Sequence, residues 1–595
     1  MRKNRSRTFR AIDGEGMSRD PHNYVLLTTR DQSIQSREGL SSHACFEFVL
    51  SQPKAATLVA FAFGYDVNMF LRDLDRETLD RLWNQESAQW RGFTLCYQPG
   101  RRFSVRYGSD VRTIFDVFGF FQSSFIKALE KWGIGTPDLI AEMKAARGSF
   151  TWSRIARVRE YARTECALLE SLCENLEESC VTAGYRPLGY YGAGAIAGAM
   201  LRTHRSRAFQ CPTPREIRSA VNRSYYGGRI ELLRYGSHDR VYTADLRSAY
   251  PHALRNQPCL ACGTWSTVIG EAGEPGSYSV NLVDWDYVPG AVLYPFPWRD
   301  HTGRVYYPAT GTGFVWQPEI DAARALEVAG IIRGRTRVIA SYRYTPRCDH
   351  DPFGWVPEVY AERARRKIAG DGSEKVLKLG LNSLYGKCAQ RVGYRGQRPP
   401  SQQFEWAGHV TSCTRATLLR ASVPLLLRDQ VIAFATDAVI STAPLPIVPG
   451  PDLGSWETET FNRGVYVQSG VYWHDGAPKL RGIRPHEMCE DQVQHGWQHW
   501  QRAIEYRAER FRTLGMHLRG VAGWRDWITS ERRLFIHPPP KGKRVERTGE
   551  PTGPALAHST ARTLPAVVQS AGRLSHPPKI FEAAKMMLEI RASGT

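Results

Sequence analysis

Apolar and polar positions along this chain follow two periods, and each change of period predicts where a strand gives way to a helix. Near the start, FRAIDGE (residues 9–15) reads as a strand. Its period of two sends Asp13 and Glu15 to one side. LVAFAFGYD (58–66) reads as a buried strand running into Asp66, and RVREYARTECALLESLCENLEESC (157–180) as a long helix with Tyr161 and Glu165 one turn apart. FDVFGFFQSSF (115–125) is aromatic and helix-like at its end; it reads as core, with base stacking as a minority reading. GAGAIAGAM (192–200) reads as a small-residue helix fit for close packing on the unit that follows it. VYTADLRSAYP (241–251) is a β-rich run ending on Asp245 before a turn into a helix, and VIAFATDAVIST (431–442) is a hairpin with Asp437 near its tip. VPEVYAERARRKIAG (356–370) is a helix stopped by Gly370-Asp371-Gly372, after which the next helix carries KLGLNSLYG (378–386).

That last helix carries the most specific chemistry. At about 100° per residue, Lys378, Asn382 and Tyr385 fall within one stripe. An ammonium, an amide and a phenol on one face suit a nucleoside triphosphate, whereas an amphipathic core helix has no use for the first two there. Arg363 and Lys367, four residues apart on the preceding helix, present basic groups to the same triphosphate or form a solvated basic face. Asp245 and Asp437, at the ends of adjacent strands, can share a pair of magnesium ions.

In order, these three segments resemble motifs A, B and C of family B DNA polymerases. DLRSAYP matches the family's DxxSLYP with Ala249 for Leu, and KLGLNSLYG matches KxxxNSxYG at every fixed position. The third departs: where the family has DTDS, this chain has Ala435, Thr436, Asp437 and Ala438. The resemblance implies that Asp245 and Asp437 suffice as metal ligands, and that Tyr250 packs under the sugar and selects deoxynucleotides. Tyr225, Tyr226, Gly227 and Gly228 resemble the YxGG segment that touches template, its glycines letting backbone approach a phosphate. Lys479, in PKLRGI, is similar to the lysine that steadies the primer terminus.

Ahead of such a palm, Asp13, Glu15, Asp66, Tyr161 and Glu165 resemble the three exonuclease motifs of the same polymerases, implying a second two-metal site that hydrolyses a 3′ end. Glu165 stands where the family has Asp, and the asparagine usual before the second aspartate is absent. The longer side chain loosens metal geometry, which predicts slowed proofreading.

Composition agrees. The 595 residues suffice for several domains, and Lys plus Arg exceed Asp plus Glu by 79 − 59 = 20, suiting a polyanionic partner. No apolar run approaches the about 20 residues that span a bilayer, and none reads as a signal sequence. The basic start MRKNRSR reads as a phosphate-touching arm. Twelve scattered cysteines indicate free thiols in a reducing compartment, which points to the cytoplasm, the host's if the chain is viral. Cys166, Cys173 and Cys180 read as a buried helix stripe. Cys259 and Cys262 form a CxxC, but with only Cys348 and His350 as remote candidates the pair reads as free thiols rather than zinc ligands.

The expected architecture is α/β and α+β multidomain: a ribonuclease H-like exonuclease over 1–190, a linker and palm start over 191–251, and an insertion resembling the first terminal-protein region over 252–354. Fingers over 355–390, palm over 391–485, and a Trp- and Arg-rich helical thumb with a basic tail over 486–595 follow. The second insertion of protein-primed phage and viral polymerases is expected to be absent, so high processivity is not expected. The expected function is DNA polymerisation with 3′–5′ exonuclease on a viral, phage or mobile-element genome, by a monomer. It would use template-primer DNA, dNTPs and two Mg²⁺ per site (Mn²⁺ as a substitute), and a terminal protein if priming is by protein. The alternatives are a DNA-binding exonuclease with an inactive palm, which Ala435 and Ala438 favour, and a non-catalytic replication factor.

Overall fold

Val431, Ile432, Ala433 and Phe434 are all buried, so the strand Val431–Thr436 must be covered on both faces and flanked on both edges. The computed structural model shows how, describing residues 7–17, 22–136, 138–139, 141–142, 151–394 and 397–536. Most of the basic arm and the predicted basic tail lie outside the described residues. The strand belongs to a seven-stranded sheet in the order Arg229–Leu232, Val431–Thr436, Ala438–Ser441, Gly236–Leu246, Trp456–Gln468, Val471–His474, Ala477–Leu480. All its pairings are antiparallel. The helix Phe404–Leu426 lies on this sheet, Leu418 and Leu419 sharing a core with Phe434 and Val439.

The N-terminal unit is built on a six-stranded sheet in which Phe9–Ala11, Thr57–Ala60 and Asp110–Asp116 run parallel and three antiparallel strands follow. The strand predicted over FRAIDGE is broken at Ile12: Phe9–Ala11 pairs in this sheet, while Asp13–Met17 pairs with Asn23–Thr28 in a second, three-stranded sheet. The 28-residue helix Ile155–Thr182 covers the unit, with Cys166, Leu169, Cys173, Leu176 and Cys180 all buried at helical spacing.

Residue 190 is not a break in the core. One apolar cluster runs from Leu169 and Cys173 through Ile196 and Met200 to Tyr250, Leu377 and Leu381. The small-residue helix Ala193–Thr203 packs on the Lys378 helix, Glu374–Cys388. The approach is close: a Cβ on Gly380 would lie 2.4 Å from Met200 Cε. The helix Val356–Ile368 doubles back into the Lys378 helix through a turn with Gly370 at φ +70°.

The Pro- and Gly-rich segment 252–354 is a folded layer, a four-stranded sheet (Gly263–Ile269, Gly334–Pro346, Ser279–Tyr287, Thr310–Trp316) with the helix Gln317–Val328. Alternation of Val283, Trp285 and Tyr287 lets it share a core with the seven-stranded sheet. One expectation is corrected: among the described residues, the segment expected as a Trp- and Arg-rich helix holds only the short α-helices Glu490–Gln498 and Leu514–Leu518, while Ala503–Phe511 and Trp527–Phe535 form a hairpin. In that hairpin Ile504, Ala508 and Leu534 are the buried positions, too few to show as a strand pattern in a charged run.

Candidate active sites

The strand carrying Asp245 ends at Leu246, and Ser248, at φ +49°, turns the chain into the helix Ala249–Arg255. Asp437 occupies the turn between its two hairpin strands, preceded by Thr436 at φ +69°. A β-branched residue in the left-handed region is strained, and such strain collects at functional turns. Asp245 pairs in register with Ala438, and Leu246 N–H donates to the Asp437 carbonyl at 2.9 Å, so the two carboxylates come from neighbouring strands. Burial pushes Asp245 up to about 7; the Asp437 carboxylate adds to this, as do Glu457 and Glu459, while Arg247 opposes. Burial also raises Asp437. Like charges held together in a partly desolvated place are relieved by a divalent cation, and two hard carboxylates fit Mg²⁺ or Mn²⁺.

Glu457 is a residue that pattern reading missed. It stands opposite Asp245 in the register, bound to Arg247 at 2.9 Å. The alternation in WETETF was the available signal, since it puts both glutamates on one strand face.

Tyr250 stacks on Tyr385 with centroids 4.2 Å apart and planes at 28°, joining the motif A and motif B segments. Gly228 fits beneath this stack: a Cβ there would lie 2.6 Å from Tyr250 Oη and 2.8 Å from Thr436 Cγ2. Its lack of a side chain therefore serves close packing of three segments. Gly227 has open space around the place a Cβ would take. The Tyr225 ring is packed against Phe404. From behind, Arg415 donates to the carbonyls of Tyr226 at 3.2 Å and Gly227 at 2.5 Å, and pairs with Glu319 at 2.9 Å, both partners 1% exposed. Nothing in sequence spacing signals that pair.

Lys378 and Asn382 are exposed on their helix. Partial burial lowers Lys378, followed by the nearby charges of Arg363, Lys131 and Lys367, with Glu374 opposing. Arg363 is held by Glu374 at 3.4 Å. The structure thus gathers Arg363, Lys367 and Lys378 as neighbouring cations. Lys479 is not among them: its strand Ala477–Leu480 lies three strands out from that of Asp245, about 14 Å by strand spacing.

In the N-terminal unit, Asp13, Glu15 and Glu165 each offer a carboxylate oxygen within 4.8 Å of the others. Tyr161 donates to Glu165 at 2.8 Å. Burial raises Asp13 well above the carboxylate range, and the charges of Glu165, Glu15 and Asp66 add to it. Asp66 sits on the first turn of the helix Gly64–Phe70, not at a strand end. Burial pushes it up to about 7, Asp116 adding, against a hydrogen bond donated by Tyr24 at 2.8 Å. Tyr24 was not legible as a site residue. Gly14 makes room for it, a Cβ there falling 1.6 Å from Tyr24 Oη.

No protein-family model matches the chain. Its sequence is 28% identical over 242 residues to the primer-independent DNA polymerase PolB of Escherichia coli, covering 37% of this chain and 28% of the relative. It is 29% identical over 294 residues to the DNA polymerase of Acidianus bottle-shaped virus, covering 47% and 43%. Against the DNA-directed DNA polymerase of Enterobacteria phage PRD1 it is 26% identical over 288 residues, covering 42% and 48%. The chain thus spans less than half the length of these curated relatives. In structure it matches Phi29 DNA polymerase complexed with primer-template DNA and incoming nucleotides, with a TM-score of 0.60 at 13% identity over 90% of this chain and all of that one. The chain has that mixed α/β multidomain fold, and its relatives by sequence are DNA polymerases of phage, virus and bacterium.

Proposed function

We propose that this chain is a template-directed DNA polymerase of family B, of the short phage and viral type, with an N-terminal 3′–5′ exonuclease. On this reading the seven-stranded sheet is the palm, the Arg363 and Lys378 helices are the fingers, and the C-terminal hairpin is the thumb. The observation that carries it is the pairing of Asp245 and Asp437 beside the Tyr250–Tyr385 stack, on whose Tyr385 helix Lys378 neighbours Arg363 and Lys367. An inactive scaffold has no need of that set together.

Two divalent ions, when bound, would supply activation of the 3′ hydroxyl and neutralisation of the leaving pyrophosphate. Asp245 and Asp437 would hold them. Lys378, with Arg363 or Lys367, would draw the triphosphate into line as point charges. Tyr250, fixed from one side by Tyr385 and from below by Gly228, would present a rigid ring to the sugar and exclude a 2′ hydroxyl. Lys479, on an outer palm strand, would meet the primer backbone. In the front unit Asp13, Glu15, Asp66 and Glu165 would bind the ions of the hydrolytic site, and Tyr161 would orient Glu165.

Primer extension with Mg²⁺ tests the polymerase. Each added nucleotide should follow the template base, and labelled primer that stays unextended while it is trimmed would establish the inactive-palm reading that Ala435 favours. The exonuclease is tested by Asp13→Ala combined with Asp66→Ala, which should stop trimming of a mismatched 3′ end; unchanged trimming by the purified double variant removes that assignment. Because one relative is named as primer-independent, label from a single dNTP should be followed onto DNA and onto protein, with and without primer.

A further inference from the structure

We propose that Cys259, Cys262, Cys348 and His350 form a structural zinc site that clamps together the two ends of the folded layer inserted between motif A and the fingers. The linear spacing gives no zinc signature, because Cys-x-x-Cys is answered only by Cys-x-His more than eighty positions later. Antiparallel pairing removes that distance. Gly263 lies in register with Pro346, and Arg347 N–H donates to the Cys262 carbonyl at 3.0 Å, so both ligand pairs sit at the same end of one strand pair. Three sulfurs and one ring nitrogen then lie within 4.8 Å of one another.

One ligand pair already has the spacing of a tetrahedral zinc site. With zinc–sulfur near 2.3 Å and zinc–nitrogen near 2.0 Å, a tetrahedral ion holds S and N about 3.5 Å apart. Cys262 Sγ and His350 Nδ1 are 3.5 Å apart. The three cysteines are free thiols. Soft thiolates with one imidazole select Zn²⁺ over the hard ions suited to the carboxylate sites, and four protein ligands leave no open position for catalysis. Binding would displace the three thiol protons to solvent, with His350 ligating as neutral imidazole.

The scaffold is built from both sides. Tyr344 donates to the Cys259 carbonyl at 2.6 Å, and the His350 ring packs on Phe209 at 5.5 Å. Cys259 is buried, Cys262 and Cys348 half-buried and His350 exposed, which gives an ion a path in from solvent. The site closes the layer at the point where the chain leaves the Tyr250 helix and enters the Arg363 helix, so it would fix these two elements relative to each other.

The full chain, purified under reducing conditions without added chelator, should carry one equivalent of zinc by elemental analysis. Cys348→Ser and the double change Cys259→Ser with Cys262→Ser should each lose it, and His350→Cys should keep it. Exchange of zinc for Co²⁺ in the unaltered chain should give thiolate charge-transfer absorption and the strong visible bands of a tetrahedral ion, and these need no variant to fold. Removal of the ion should lower Tm by on the order of 5 °C. Reduced protein that holds no zinc and gives no such bands with Co²⁺ overturns the site. So does zinc that persists in both cysteine variants, or a Cys259–Cys262 disulfide that after reduction takes up no metal.

Discussion

Asp245 and Asp66 each favour the protonated form up to about pH 7, the first through burial and its neighbour Asp437, the second chiefly through burial. An unfolded aspartate releases its proton near pH 4, so between about 4 and 7 the folded, metal-free protein binds more protons than the unfolded chain. Its stability contribution from these groups is therefore largest below that window and falls as pH rises through it. Mg²⁺ offsets the repulsion only where the carboxylates are ionised. The rise in Tm on adding Mg²⁺ should accordingly be larger at pH 8 than at pH 5, and equal increments at both would argue that these carboxylates do not hold the ion. Gly228 offers a second residue-scale test. Gly228→Ala pushes a methyl into Tyr250 and Thr436, and should lower nucleotide incorporation by about tenfold or more, as misplacements near 1 Å do, while trimming at the front site is unchanged.

Among elements, the YYGG turn depends on a buried ion pair it does not contain. Arg415→Met leaves Glu319 buried without its partner, which should cost about 3–5 kcal/mol and be read as a fall in Tm, whereas replacing both partners by apolar residues should cost less. The C-terminal hairpin makes a comparable connection. Asn68 Oδ1, on the helix that carries Asp66, accepts from Leu514 N–H at 2.5 Å and Trp524 Nε1–H at 3.1 Å, and Phe511 packs edge-on to Tyr65 at 5.0 Å. Asn68→Ala should slow trimming severalfold while template-directed extension in a short assay is retained. Equal loss of both activities would show that the contact only supports folding.

Across the whole molecule, what was legible in the sequence was what short periods and local turns encode. The motif A run and its turn, the Asp437 hairpin, the Lys378 stripe and the Asp13–Glu15 pair all depend on neighbours within a few positions. What was not legible depends on pairing over long separations. The sheet built from 252–354 hid behind its prolines and glycines, the C-terminal hairpin behind charge on its outer face, and the four zinc-ligand candidates behind eighty positions of intervening chain. Tyr24 and Arg415 escaped for the same reason, each reaching its partner across a tertiary contact without a motif.

The central claim is that Asp245 and Asp437 together hold the ions of nucleotide transfer. Single-nucleotide incorporation by Asp437→Ala on primer-template DNA in Mg²⁺ tests it most directly, with DNA affinity measured on the same sample. Because metal clamping supplies several kcal/mol of barrier reduction, incorporation should fall by at least about three orders of magnitude with DNA binding intact. Near-normal extension by that variant would contradict the account.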